Sequence, residues 1–272
     1  MKRVRRKQIL LTALVLILFG LYTLPLFWMV TSSFKTEKEI VSIKWLPAQW
    51  SFKNYQVILG RAKIGQWFLN SVIVASGSTI GIVVISIFAG YALGRMAFPG
   101  KKLLFVLTLS GFMIPLHAIM IPLFLLLKDF KLINSYGGLI LPGLASPIAV
   151  FILAQYFKGI DREYEEAARL DGASEPQILF YVMTPMAIPA IITVAILSFT
   201  FAWNDFVWPL IIAQSEKMYT LPVGLTTLAG GDVNIRYGPI MAANVMASLP
   251  AFLVYIVFQR YLTLGVTVGE LK

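Results

Sequence analysis

A chain of 272 residues that is 58% hydrophobic and only 13% charged, with a mean hydropathy of +0.79, departs from the composition of water-soluble domains and is read as membrane-embedded. Its formal charge of +10 would suggest nucleic acid in a soluble protein. The lysines and arginines instead lie between apolar runs and form no single stripe, so they are assigned to topology at a lipid membrane and nucleic acid is excluded as a partner. The lack of cysteine and the single histidine, His117, exclude disulfides, thiol chemistry and Cys or His metal sites.

Residues 1–8 form a basic terminus carrying Lys2, Arg3, Arg5, Arg6 and Lys7, and an uncharged apolar stretch runs from Ile9 to Val30. It imitates a signal peptide. Its length suffices to cross a hydrocarbon core of ~30 Å at ~1.5 Å per residue and no small-x-small cleavage site follows, so it is read as a retained first span. Five more stretches follow, Phe68 to Leu93, Leu103 to Leu127, Tyr136 to Phe157, Ala187 to Ile212 and Pro239 to Phe258. The predicted fold class is therefore all-α integral membrane, with six transmembrane helices over residues 9–262. An even number of spans puts both termini on one side, and the N-terminal basic cluster makes that side cytoplasmic. The outer loops are then 31–67, 128–135 and 213–238, and 263–272 is a cytoplasmic tail. The first outer loop has six basic residues of its own, Lys35, Lys38, Lys44, Lys53, Arg61 and Lys63, so the orientation rests on the N-terminal cluster.

Between spans two and three, Gly94 to Lys102 is a basic turn around Pro99 and Gly100. Gly77 with Gly81 and Gly90 with Gly94 have GxxxG spacing, which permits close helix contact inside the subunit or against another. His117 follows Ile114-Pro115-Leu116, where a proline frees a backbone carbonyl; it is read as a local polar group at that kink. Asp205 is a carboxylate inside the fifth stretch, and a charge at a helix centre costs about 2.5–3.5 kcal/mol on insertion scales. Two readings are open. Asn204 and Asp205 line a pathway, or Asp205 sits where the span ends, beside Trp208 and Pro209.

Residues 158–186, between spans four and five, are too charged and too patterned for a connector. Glu163 to Leu170 is a run of helix formers, Asp161 is a candidate N-cap, and Gly172 is placed to end the helix in a left-handed conformation. Ser174 and Gln177 have capping-box spacing with Pro176 in the first turn, and Ile178, Leu179, Tyr181 and Val182 are expected to lie along the membrane face. Ala167 and Ala168, flanked by Glu165, Glu166 and Arg169, make a small-residue patch suited to a partner's groove.

The string Glu166-Ala167-Ala168, then Gly172, then Val182-Met183-Thr184-Pro185 resembles the cytoplasmic coupling motif of ABC importer permeases. The family usually ends this motif with Ile, any residue, Leu, Pro, so Val182 and Thr184 depart from it. Ser33-Phe34-Lys35-Thr36-Glu37, Trp67-Phe68-Leu69-Asn70-Ser71, Ile114-Pro115, Trp203-Asn204-Asp205-Phe206 and Phe258-Gln259-Arg260-Tyr261 extend the resemblance over the chain, toward the second permease subunit of maltose-type carbohydrate importers. The resemblance implies a cytoplasmic coupling helix between spans four and five, with Tyr164, Glu165, Glu166, Ala167, Ala168, Leu170, Asp171 and Gly172 meeting an ATPase. It implies a heterodimer with a second permease subunit in the cytoplasmic (inner) membrane, two ATPase subunits and an extracytoplasmic substrate-binding protein. The loop with Leu221, Pro222, Gly224, Gly230 and Gly231 resembles one that reaches into the binding protein, the alternative being a loop folded over the subunit's own mouth. Gly265, Thr267 and Gly269 lie in a segment similar to a tail that slides between the ATPases, or simply in a frayed end.

No Gly-x-x-x-x-Gly-Lys-Ser/Thr is present: Gly100-Lys101 is followed by Lys102 and preceded by Arg95, so no phosphate cradle forms. No cofactor or enzymatic step is expected on this chain, and ATP with its Mg is expected on the partner ATPases. An ion-coupled secondary transporter is the alternative function. That class keeps ionisable groups at mid-membrane, for which only Asp205 and His117 are candidates. A membrane assembly protein would leave 158–186 without a use unless that segment docked some other soluble partner.

Overall fold

Helices make up all the regular structure among the residues described by the computed structural model, 2–60, 63–230 and 236–267. In chain order they are α1 (Lys2–Ser32), α2 (Glu37–Val41), α3 (Lys53–Leu59), α4 (Ile64–Gly94), α5 (Lys101–Ser110), α6 (Leu116–Asp129), α7 (Tyr136–Ile140) and α8 (Pro147–Gly159). They continue as α9 (Glu163–Leu170), α10 (Glu175–Gln177), α11 (Thr184–Met186), α12 (Ile188–Asn204), α13 (Val207–Ile212), α14 (Leu221–Gly230) and α15 (Tyr237–Thr267).

Three helices are long and apolar enough to cross a membrane as they stand, over Leu10–Ser32, Ile64–Gly94 and Tyr237–Gln259. Three bent pairs reach that length if each is one span: Lys101–Met113 with His117–Asp129, Tyr136–Leu144 with Pro147–Gly159, and Glu175–Met186 with Ile188–Asn204. The bends are 103°, 45° and 77°. Prolines cause the first two breaks, because the residue before a proline is pushed out of the helical region. Ile114 adopts φ −97°, ψ 103° before Pro115, and Ser146 adopts φ −109°, ψ 95° before Pro147. The fifth apolar stretch is itself interrupted, since α12 stops at Asn204 and α13 restarts at Val207.

The chain divides into two compact units. The first, Met1–Gly65 with Gly224–Leu249, is organised around the end of α1. Lys35 is only 2% exposed; its ammonium donates to Thr31 Oγ1 and Ser32 Oγ at 3.3 Å each and lies 3.9 Å over the Trp28 ring. Burial pushes its pKa down. Asn54 Nδ2 donates to the carbonyls of Ser33 and Lys35 at 2.9 Å each, and Phe34 sits among the rings of Trp50, Phe52 and Tyr55.

The second unit is Gln66–Val223 with Pro250–Lys272. One core joins Tyr91, Leu153, Phe157, Ile178, Met183 and Ala187. Both GxxxG pairs are used within the subunit. A Cβ on Gly94 would lie 2.7 Å from the Ala154 carbonyl oxygen and one on Gly90 2.8 Å from Leu153 Cβ, so α4 and α8 touch backbone to backbone. Gly77 and Gly81 instead make room for the side-chain ends of Ile140 and Leu144.

Candidate functional site

Helix α9 forms where the sequence predicts, but it is capped differently. Its N-cap is Arg162, in helical conformation, and Asp161 stays outside. The Glu165 and Glu166 amides bond to the Arg162 carbonyl at 3.0 Å each, and the acids Glu163, Glu165 and Glu166 in the first turn complement the helix dipole. Gly172 takes φ +83°, as predicted, and the Ala173 amide closes onto the Ala168 carbonyl at 2.9 Å.

One side of α9 is fastened by a buried ion pair. Arg95, one residue past α4, donates from Nε to Glu165 Oε1 at 2.8 Å, with both side chains 6% exposed. Its Nη1 donates to the carbonyls of Ile160 at 2.7 Å and Phe157 at 3.3 Å. Tyr91 Oη donates to Glu175 Oε2 at 2.9 Å, and Glu175 Oε1 accepts from Arg169 Nε and Nη2 at 3.1 and 2.8 Å. α4 therefore grips both α9 and the start of α10.

The opposite side carries most of the predicted coupling residues. Tyr164, Glu166, Ala167, Asp171 and Gly172 are exposed and Ala168 is half-buried, while Leu170 is 90% exposed. Ala168 packs on the core, and Glu165 is the full exception. Expected as a flank of the docking patch, it faces inward because Arg95 requires a partner there. Arg95, Tyr91 and Glu175 were not among the sequence candidates; the available signal was an arginine directly after an apolar span and ahead of an acid-rich segment.

The capping box at Ser174 forms, the Ser174 amide and hydroxyl both donating to Gln177 Oε1 at 2.8 and 2.9 Å. The chain then winds as a π-helix over Ile178–Met183. Ile178 and Leu179 pack into the core instead of lying along a membrane face, because this segment is the protein-side wall against Tyr91 and Phe157; Phe180 and Tyr181 are the exposed pair. Thr184, where the coupling motif usually has Leu, has its Oγ1 buried without a hydrogen-bond partner.

A cavity of about 840 Å³ lies in the second unit, and Asn204, Asp205 and His117 all line it. Its wall is otherwise mainly apolar, with Phe201, Trp208 and Pro147 among its members. Asp205 ends α12 in extended conformation and accepts the Trp208 amide at 3.4 Å, so the helix break and the cavity lining are the same event. Of the predicted site groups, the structure brings this pair together with the residues around Pro115.

Residues 214–221 are fastened by hydrogen bonds to other parts of the second unit. Trp67 Nε1 donates to the Glu216 carbonyl at 2.9 Å, Asn70 Nδ2 to the carbonyls of Lys217 and Tyr219 at 2.8 Å each, and the Leu221 amide to Ser71 Oγ at 2.7 Å. Asn134 Oδ1 accepts the amides of Gln214 and Ser215 at 3.0 Å each. Leu221, Pro222, Gly224 and Gly230 belong to helix α14. Leu221 is 2% exposed and Gly224 is buried, so helix replaces the loop conformation read from the sequence: burial of Leu221 and Val223 overrides the loop-forming composition, and Pro222 is tolerated in a first helical turn. Gly231 lies outside the described residues. Gly265 and Thr267 fall in α15, which runs on past the expected end of the last span, and Gly269 lies outside the described residues.

Comparison with known proteins agrees with this architecture. The arabinooligosaccharides transport system permease protein AraQ of Bacillus subtilis is 37% identical over 97% of this chain and 96% of its own length. The diacetylchitobiose uptake system permease protein NgcG of Streptomyces coelicolor is 36% identical over 98% and 90%, and the trehalose/maltose transport system permease protein MalG of Thermococcus litoralis is 30% identical over 98% and 97%. Among solved structures, a bacterial ABC transporter involved in the import of the acidic polysaccharide alginate has a chain of the same fold, with a TM-score of 0.87 and 24% identity over 96% of this chain and 98% of that one. The pattern of the family described as binding-protein-dependent transport system inner membrane component matches residues 82–268, and the chain belongs to that family.

Proposed function

We propose that this chain is one of two permease subunits of an ATP-driven importer for a sugar, oligosaccharide or polyol, and that α9 transmits the ATPase stroke to the cavity. The observation that carries this reading is the two-sided construction of α9: one side locked to α4 through Arg95 and Glu165, the other offering Tyr164, Ala167 and Leu170 to a partner. Tyr164 and Leu170, 52% and 90% exposed, give this short helix an apolar side of the kind that seats in a partner's groove. The names of the relatives, arabinooligosaccharide, diacetylchitobiose and trehalose/maltose permeases, support the cargo class.

In this reading residues 1–8 and 263–272 are cytoplasmic, 158–186 is the coupling loop, and 9–262 hold six spans if each bent pair crosses once. Two ATPase subunits bind ATP and Mg, an extracytoplasmic binding protein delivers the cargo near α14, and Gly265, Thr267 and Gly269 approach the ATPases. α9 packs on the π-helical segment that leads into α12, and α12 supplies Asn204 to the cavity. Displacement of α9 thus has a short, stiff route to the pathway, and alternating access needs only that the ATPases contact α9 differently in two global states.

The test is reconstitution of the complex with Glu166→Lys and Gly172→Pro, matched for membrane expression. Both variants are expected to assemble and to lose cargo-stimulated ATP hydrolysis and uptake. Uptake that persists without ATPase subunits and follows an ion gradient would establish the secondary-transporter alternative instead.

A further inference from the structure

Residues 36–53, in the first unit, hold a surface that the proposed transport cycle does not use. Val41, Ile43, Trp45, Leu46, Trp50 and Phe52 are all exposed there, more apolar surface than a soluble loop carries. Its position is set by an aromatic contact: Trp45 meets the Trp28 ring edge-on at 5.3 Å. Trp28 is one turn before the end of the span Leu10–Ser32, about 6 Å along a helix rising ~1.5 Å per residue. The segment therefore folds back beside the last turn of the span and does not leave it for water. The spanning part of α1 is itself 0% buried, so the exposed side chains at 43–46 continue a surface already turned to lipid.

The backbone holds this arrangement under strain. Ile43 has φ +54°. It ends α2 in the closure usually given to glycine, its own amide bonding to the Ile40 carbonyl at 3.0 Å and the Lys44 amide to the Glu39 carbonyl at 3.2 Å. A β-branched residue there is an outlier, and its side chain is turned outward, 69% exposed. Charge is sorted as well. Glu37 accepts the amides of Tyr237 and Gly238 at 3.1 and 2.8 Å, and Glu39 those of Thr36 and Ala48 at 2.9 and 2.8 Å. Both carboxylates are committed to backbone, while Lys38 and Lys44 are exposed beside the apolar patch.

We propose that this segment is an interfacial membrane anchor, in which Ile43, Trp45 and Leu46 enter the boundary between headgroups and acyl chains and Lys38 and Lys44 take the phosphates of anionic lipids. A lipid surface fits better than a soluble partner because the Trp28 contact fixes the patch at the depth of a span. The anchor also gives a use to basic residues of 31–67 that dilute the topological charge bias.

The chain has no cysteine, so Ile43→Cys, Trp45→Cys and Leu46→Cys can each carry a spin label in the full chain as it assembles in membranes. Vesicles of phosphatidylethanolamine with and without phosphatidylglycerol are the probe, and accessibility to oxygen against a water-soluble nickel chelate reads depth. The expected result is oxygen access exceeding chelate access at all three positions. Lys38→Gln with Lys44→Gln should then shift the labels toward water only where phosphatidylglycerol is present. Leu46→Cys leaves the Trp28 contact intact and keeps the test valid if Trp45→Cys disturbs the loop. Chelate access in every vesicle overturns the anchor. Protection that arises only on adding a soluble binding protein replaces it with a protein-docking surface, and protection indifferent to both phosphatidylglycerol and the lysines overturns the headgroup contact. Depth, not uptake, is measured, so failure here leaves the importer reading untouched.

Discussion

Arg95 and Glu165 carry a large energetic stake beneath α9, because each is 6% exposed and removing either leaves the other buried without its partner. Arg95→Ala should destabilise the folded chain by on the order of 3–5 kcal/mol, measured as the thermal midpoint of the purified protein. The double variant Arg95→Ala with Glu165→Ala should recover a large part of that loss. A double variant no more stable than the single one would mean that the Arg95 bonds to the carbonyls of Phe157 and Ile160 matter more than the ion pair. Glu39, in the first unit, gives a pH-dependent signature. The amides of Thr36 and Ala48 hold its carboxyl down from 4.5 to about 2. A folded pKa below the unfolded one means that ionisation favours the folded loop. The contribution is complete above about pH 4.5 and is lost as pH falls toward 2. Hydrogen exchange at the Ala48 amide, corrected for its intrinsic rate, should accelerate across that window; a flat profile would refute the carboxylate's role.

At the level of elements, α9 is positioned by helix packing far more than by its own propensity. Eight residues, Glu163–Leu170, are too few for a stable isolated helix. α4 approaches α8 closely enough that only glycine fits at position 94, where a Cβ would meet the Ala154 carbonyl oxygen at 2.7 Å. Gly94→Val should therefore push α8 away and drag Arg95 off Glu165, abolishing assembly or coupling. Gly20→Val, at a position in α1 with open space around it, should be tolerated; the comparison is made by co-purification and uptake. Equal effects from the two substitutions would argue against backbone contact as the organising feature.

For the whole molecule, the cavity is where the helix breaks at Ile114, Ser146 and Asp205 meet the polar side chains of His117, Asn204 and Asp205. If Asn204 and Asp205 contact cargo, Asn204→Ala should raise the apparent KM for uptake about fivefold, the worth of roughly 1 kcal/mol for one hydrogen bond, with ATPase coupling retained. Asp205→Asn keeps an acceptor for the Trp208 amide. An unchanged KM in both variants would leave Asp205 as the group that ends α12 and nothing more.

Apolar run length and the positions of proline and glycine were enough to place α1, α4 and α15, the break at Pro115, the turn at Gly100 and the left-handed stop at Gly172. These depend on local properties, namely transfer of side chains out of water and backbone dihedral limits. The membership of the family was legible in another way, through the resemblance of Glu166-Ala167-Ala168, Gly172 and Pro185 to a known motif. What only tertiary structure decided was direction. Glu165 turns inward because Arg95, 70 residues away, needs a buried partner. Ile178 and Leu179 pack inward because Tyr91 and Phe157 stand behind them, and 221–230 is helical because Asn70 and Ser71 fasten its approach. Each of these depends on a contact between segments distant in sequence, and local composition carries no record of which neighbour will be there.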